Sequence, residues 1–248
     1  MENALLIGLS RQVGLARELE VIANNVANMN TTGFKARSLR FEEYLMPTAS
    51  ADAFMTPDKP LSYVVDKGSG LDLSGGAIER TGNPLDIAIK GDGVLAVNTP
   101  QGERYTRNGA LQINERGELV TSDGYRVLGD GGPITFDAAE TGIGIGKDGT
   151  VSSSQGTKGK LKLMAVKNPG QLENAGLNLY TAATPLTAAT AREVQVESGA
   201  VEHSNVKPVI EMSRLIEVNR TYSTIAALLQ RNDELSRTAV ERLAAVPT

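Results

Sequence analysis

Ile22-Ala-Asn-Asn-Val-Ala-Asn-Met-Asn-Thr-Thr-Gly-Phe-Lys35 decides how this chain is read. It follows a segment of helical periodicity and packs four asparagines, a glycine and one aromatic into a short run. Asn and Gly at that density, directly after a helical pattern, specify where the helix stops and the chain turns. Gly33 allows a backbone conformation closed to other residues, and Phe34 is an anchor for the departing chain. Asn24, Asn25, Asn28 and Asn30 are expected to spend their amides on neighbouring backbone.

Upstream, Leu5, Leu6, Leu9, Val13, Ala16, Leu19, Ala23 and Val26 recur at spacings of three and four, with Arg11, Gln12, Arg17, Glu18 and Glu20 between them. This is one amphipathic helix, roughly 40 Å long at 1.5 Å per residue. A helix of that length cannot bury its own stripe. Gly8 and Gly14 lie inside it, and with Ala4 and Ala16 they suit close approach of another backbone.

Downstream, the stretch from 36 to 77 reads as an irregular connector. Phe41, Tyr44, Phe54 and Tyr63 are scattered among Pro47, Pro57 and Pro60, and these prolines punctuate more than they sustain an element. From 78 to 203 turn signals recur about every ten residues, which suggests antiparallel strands in a small barrel or sandwich. Leu85 to Ile89 and Val94 to Val97 read as strands about a turn at Lys90 to Gly93. Asn108-Gly109 reads as a hairpin signal. Glu193-Val-Gln-Val-Glu197 alternates, valines inward and charge outward.

After Ser204-Asn-Val-Lys-Pro208 the period returns to helical. Val209, Met212, Leu215, Ile216, Tyr222, Ile225, Leu228, Leu229, Leu235, Val240 and Leu243 form a stripe, and Pro208 suits the first turn. Asn219 and Asn232 fall close to it. The expected fold is therefore α+β: N- and C-terminal helices (1–35 and 204–248) packed together as a discontinuous coiled-coil-like region, the connector, and an inserted antiparallel β-rich domain (78–203).

Composition excludes more chemistry than it offers. The chain has 248 residues, a net charge of −4, no cysteine and a single histidine, His203. Without cysteine there is no disulfide, Cys-bound zinc or thiol catalysis. The acidic balance gives no electrostatic footprint for nucleic acid. No apolar run is long enough to cross a membrane, and the opening lacks a basic region and a cleavage site of the secretory type. Gly144-Ile-Gly-Lys-Asp-Gly149 matches a phosphate-binding pattern, but strand and loop follow where a helix is required. The Asp-Gly pairs at Asp92, Asp123, Asp130 and Asp148 are turns without the ligand ladder of a calcium loop. Neither cofactor nor metal is indicated, and the expectation is a protein that is not an enzyme.

Three separated stretches resemble one family. Ala23 to Lys35 looks like the N-terminal signature of the flagellar rod and hook proteins. Ser204 to Met212 with Arg220-Thr-Tyr222 is similar to their C-terminal signature. Thr81 to Gly93 and Tyr105-Thr-Arg-Asn-Gly109 resemble their β-domain core. The opening Met1 to Ser10 and the modest length look most like the proximal rod members, with the distal rod members as the alternative. Gly93-Val94-Leu95 departs from the pattern, since relatives carry aromatic residues after the glycine, and this puts one packing contact of the β-domain in question.

The resemblance implies a structural subunit of the basal-body rod crossing the periplasm, exported by the flagellar type III apparatus, partnered by itself and other rod subunits, and not inserted in a membrane. It further implies that the terminal helices line an inner tube while the β-domain faces outward. The assembly interface would then hold Leu5, Leu6, Leu9, Val13, Ala16, Leu19, Ala23, Asn24, Asn25, Asn28, Asn30, Gly33, Phe34, Met212, Leu215, Tyr222 and Leu229. Two other readings are a ligand-binding β-domain oligomerised by its helices, and a hydrolase using His203.

Overall fold

In the computed structural model, residues 2–46 and 61–244 are described. Pro47, Phe54, Pro57 and Pro60 lie outside the described residues. The side chains of Leu5, Phe41, Tyr44, Tyr63, Val240 and Leu243 lie outside the described side chains. The chain divides into two compact units. One holds 1–26, 37–70 and 208–248; the other holds 27–36 and 71–207.

In the first unit, α1 (Glu2–Ala27) packs on α2 (Pro208–Ala244). Proline takes the first helical position of α2, where its missing N–H is not needed. The seam is built from Leu15, Ile22 and Val218, all buried, with Leu19, Val26, Leu215, Tyr222 and Ile225 packed against them. A side chain at Gly8 would meet Leu229 Cδ2 at 2.7 Å, and Asn25 Nδ2 donates to Glu211 Oε2 at 3.2 Å. Because low positions of α1 meet high positions of α2, the helices run antiparallel. Asn219 is exposed and Asn232 half-buried.

The same unit contains the strands Arg37–Met46 and Leu61–Leu71, which pair as a two-stranded sheet. Two strands therefore lie within the stretch read as a connector.

The second unit holds antiparallel strands from Ile78 to Glu202. Its main sheet runs Leu172–Gly176, Leu179–Ala182, Gly102–Thr106, Gly93–Thr99, Arg126–Gly129, Leu119–Thr121, Leu111–Ile113, and Leu163–Ala165 also pairs with Gly93–Thr99. The strand Gly93–Thr99 is central and is buried on both faces. Leu95 and Val97 enter one cluster with Leu119, Val127, Val151 and Leu161, while Val94 enters another with Met164, Val166 and Tyr180. Both Val94 and Leu95 are fully buried, so aliphatic side chains fill the place where aromatic ones were the pattern.

Two local readings are corrected. Ile87–Lys90 does not return onto Gly93–Thr99 as a hairpin. It pairs with Gln195–Ser198, setting Ile89 opposite Val196, so the alternating Glu193 to Glu197 run supplies its partner. Asn108-Gly109 is not a hairpin turn either. Asn108 is buried, donates to Ser122 Oγ at 2.9 Å and accepts from the Ala110 N–H at 3.1 Å, while a Cβ at Gly109 would lie 1.8 Å from the Ile87 carbonyl oxygen. The glycine serves close backbone approach, the other use of that residue in a β-region. Gly144 to Gly149 is a hairpin, with Gly144–Ile145 paired to Thr150–Ser153.

Candidate functional site: helix faces and a buried ionic node

A helix that has found a seam partner has no further use for apolar side chains on its other side. Both helices here carry them. On α1, Leu6, Leu9 and Val13 are 49%, 48% and 63% exposed. At 3.6 residues per turn they lie roughly 150° round the helix from Gly8, Leu15 and Ile22. On α2, Val209, Met212 and Ile216 are likewise exposed, roughly 120° from the Leu215, Val218 and Tyr222 side. Leu228 and Leu235 are exposed further along α2. Exposed singly, such residues would mean little; in register along a helix they form patches of the kind that binds protein.

The expected interface residues therefore separate into groups. Leu6, Leu9, Val13 and Met212 stand outward, as do the small Ala16 and Ala23. Leu19, Leu215 and Tyr222 belong to the seam within the chain, and half-buried Leu229 lies beside Gly8. Asn24 and Asn30 are exposed. Asn25 is buried and closes a ring with the backbone of Arg37, accepting from its N–H at 2.9 Å and donating to its carbonyl at 2.9 Å. Both halves of one amide thus hold the first residue of the next strand.

The helix stop is built within the second unit. The Thr31 N–H donates to the Asn28 carbonyl at 3.1 Å, and Thr31 Oγ1 donates to Asn28 Oδ1 at 3.2 Å. Gly33 has φ +67°, and a Cβ there would stand 2.2 Å from the Arg107 carbonyl oxygen. Left-handed backbone and contact with a neighbouring chain segment both demand glycine. Its N–H donates to the Glu202 carbonyl at 2.7 Å. Phe34 is buried, and its carbonyl accepts from the Asn205 N–H at 3.4 Å.

Next to it lies a group that sequence reasoning missed. Lys35, Arg107 and Glu202 are all buried. Lys35 Nζ donates to Glu202 Oε1 and to the Ser74 carbonyl, both at 2.6 Å. Arg107 Nε donates to Glu202 Oε2 at 2.7 Å, and its two terminal nitrogens donate to the carbonyls of Gly93 and Ile89 at 2.9 Å each. The Gly76 N–H adds a further donor to Glu202 Oε1 at 2.8 Å. One carboxylate thus answers two cations and a backbone amide, each with good geometry, which is the condition under which buried charge is tolerated. Burial alone would raise the Glu202 carboxyl, but Arg107 and Lys35 outweigh it and hold the group below its usual range. Burial first, and Arg107 second, push the Lys35 ammonium below its ordinary value against the pull of Glu202.

The node ties four stretches distant in sequence: the helix exit at 35, the 72–76 turn, the strands at 89–107, and Glu202 just ahead of α2. Asn205 adds to it, accepting from the Ala36 N–H at 2.7 Å and donating to the Asp72 carbonyl at 2.8 Å. Each of the three charged residues lies inside or within two residues of a stretch singled out above. A charged residue fixed in such a stretch without a surface role was the available signal.

His203 pairs with Glu79 at an exposed position, and its N–H donates to the Ala77 carbonyl at 2.8 Å. No serine or second carboxylate completes a nucleophilic arrangement around it among the described residues. No helix among them is long and apolar enough to cross a membrane.

Three family models match the chain. "Flagella basal body rod protein" covers residues 5–35, "Flagellar hook protein FlgE/F/G D1 domain" covers 88–153, and "Flagellar basal body rod FlgEFG protein C-terminal" covers 197–242. The flagellar basal-body rod protein FlgF of Caulobacter vibrioides is 41% identical over 246 residues, spanning 98% of each chain. FlgF of Mesorhizobium japonicum is 35% identical with the same coverage. The basal-body rod protein FlgG of Bacillus subtilis is 30% identical over 257 residues, covering 95% of this chain and 97% of its own.

Proposed function

Because this chain belongs to the flagellar basal-body rod protein family, as a structural subunit of the proximal rod, we propose that its terminal helices are its assembly surfaces and that it joins its neighbours head to tail. The observation that carries this reading is the pair of outward apolar faces, Leu6, Leu9 and Val13 on α1 and Val209, Met212 and Ile216 on α2. The intramolecular seam leaves them unused. Its spacing supports a coiled-coil-like pair: Leu15, Leu19, Ile22 and Val26 on one side, and Leu215, Val218, Tyr222, Ile225 and Leu229 on the other, step by three and four. Partners are further copies and other rod subunits, and the role is to pass torque along the shaft through many modest contacts. No chemistry is required of any residue.

The test is a strain lacking the gene, complemented by variants and scored for swimming. Leu9→Asp changes a half-exposed residue, so the folded chain loses no more than about 0.5 kcal/mol, yet swimming is abolished. Leu229→Asp instead puts a charge beside the seam and costs several kcal/mol in the monomer, on the order of 2–4. Normal swimming with Leu9→Asp at wild-type protein levels refutes the assignment of this face.

A further inference from the structure

Leu177 lies in a backbone conformation that its side chain makes costly. Leu172–Gly176 and Leu179–Ala182 pair with Gly176 opposite Leu179, so Leu177 and Asn178 alone form the turn between them. Both have positive φ, +47° and +56°. A two-residue turn of this kind ordinarily takes Asn-Gly, because the left-handed region is unfavourable to most residues with a Cβ. Asn178 has a local reason to be there. Its Nδ2 donates to the Thr32 carbonyl at 2.9 Å, and its own carbonyl accepts from Thr106 Oγ1 at 3.0 Å. Leu177 has none: it is 72% exposed and enters no core cluster. A backbone outlier that carries a large apolar side chain into water points to a use outside the fold.

The same unit holds a recess of matching chemistry. The turn after Leu111–Ile113 and the segment 136–143 enclose a pocket of about 430 Å³. Ile113, Phe136 and Ile143 line it and are continuous with the main core cluster, while Glu115, Arg116 and Asp137 stand exposed around it. An apolar floor inside a polar rim is the anatomy of a protein contact. The turn at Leu177 and the turn at the pocket belong to hairpins on opposite edges of the main sheet, with Gly102–Thr106, Gly93–Thr99 and Arg126–Gly129 between them. At about 4.8 Å per strand the two hairpins stand roughly 24 Å apart along the sheet. Leu177 therefore leaves the pocket of its own chain unfilled.

From this pairing we propose that Leu177 of one copy seats in the pocket floored by Ile113, Phe136 and Ile143 of a second copy of this chain. This contact rests on the assembly role proposed above and brings the β-rich unit into it, outside the helix faces. Knob and pocket are different places on one molecule, so the contact is heterologous. Each docked pair still offers a free knob at one end and a free pocket at the other, and it propagates as an open array requires. Two hairpin tips meeting each other would instead close a pair and leave both pockets empty.

The chain has no cysteine, so introduced thiols report alone. Ala175 beside the tip and Ala138 at the pocket are both exposed. Full-length chain carrying Ala175→Cys and Ala138→Cys together, treated at high concentration with a short bifunctional maleimide, is expected to give a ladder of linked multimers. Ala175→Cys with Asp123→Cys, at the exposed turn beyond the other end of Leu119–Thr121, should give no ladder. Leu177→Asn added to the first pair should cut the ladder about tenfold, the worth of one buried leucine. The same change should raise the thermal unfolding midpoint by roughly 2–4 °C, because asparagine accepts the left-handed turn. A residue kept only for the fold does not give both results. Equal ladders from the two cysteine pairs, a ladder that survives Leu177→Asn, a lowered midpoint, predominant dimers of Ala175→Cys alone, or no ladder at all overturns the contact. Swimming of a strain without the gene speaks to the rod function alone. A strain that still swims removes that function and leaves the contact to the cross-linking result.

Discussion

Glu202→Gln changes one atom in size and almost nothing in shape, yet it removes the only carboxylate that Lys35 and Arg107 contact in the node. In the native chain that side chain accepts from Lys35, Arg107 and the Gly76 N–H, at 2.6 to 2.8 Å. Glutamine keeps one acceptor oxygen and turns an NH2 group toward donors that carry positive charge. Two buried cations then lose their counter-charge, which costs about 3–5 kcal/mol by the measured effect of breaking buried pairs. For a unit of this size that lowers the midpoint of thermal unfolding by about 10 °C. The assay is thermal and urea unfolding of the full chain, followed by far-ultraviolet circular dichroism. Removing a cation instead is milder. Lys35→Met leaves Glu202 paired with Arg107, and the Ser74 carbonyl keeps the Asn205 amide as a donor at 3.2 Å. A loss below about 1 kcal/mol for Glu202→Gln, the value of an exposed ion pair, would refute the node as a structural tie.

The same node sets two limits in pH. Because Glu202 is held below its usual range, the folded chain binds fewer protons there than the unfolded chain. Its contribution is complete above the ordinary carboxylate value of 4.5 and is lost as pH falls through the lowered one. Lys35 is lowered from 10.5, so between its folded value and 10.5 the unfolded chain binds more protons, and stability rises with pH across that window. Urea midpoints measured over the alkaline range should show this rise in the wild type and lose it in Lys35→Met, which keeps the acid limb through Arg107. Gly33→Ala and Gly82→Ala make a paired test of the helix exit, with φ of +67° and +75°. Gly82 has open space around it and pays only for the left-handed backbone, about 1–2 kcal/mol, whereas Gly33→Ala also drives a Cβ to 2.2 Å from the Arg107 carbonyl and should cost more by denaturant titration. Equal losses would remove the close approach as the reason for glycine at 33.

Periodicity revealed α1 and α2, and the Asn-Gly run revealed where α1 ends, because caps and stripes are local properties that adjacent residues determine. What periodicity did not reveal is that α1 carries two apolar faces. Leu6, Leu9 and Val13 share spacings of three and four with Leu15, Leu19 and Ile22, so a single count along the chain merges them, though roughly 150° separates them. Only a partner helix in place shows which side the seam takes, with Leu19, Leu215 and Tyr222 packed in it while Leu9 and Met212 face outward. The strand partner of Ile87–Lys90 was hidden for a related reason. Its ladder joins residues more than a hundred positions apart, and turn chemistry at Lys90 to Gly93 favours a local hairpin that the central, doubly buried strand cannot accept. The node was the least legible part of all. A lysine, an arginine and a glutamate far apart in sequence each read as solvated charge, and only their convergence makes them structural. That convergence also gives the run from Ile22 to Lys35 two distinct tasks. Asn25 fixes the chain to the helix pair through Arg37 and Glu211, ten residues before Lys35 fixes it to the strands through Glu202. A variant that loosens one tie should therefore spare the other. Asn25 acts within one compact unit and Lys35 within the second, so their effects on unfolding should add.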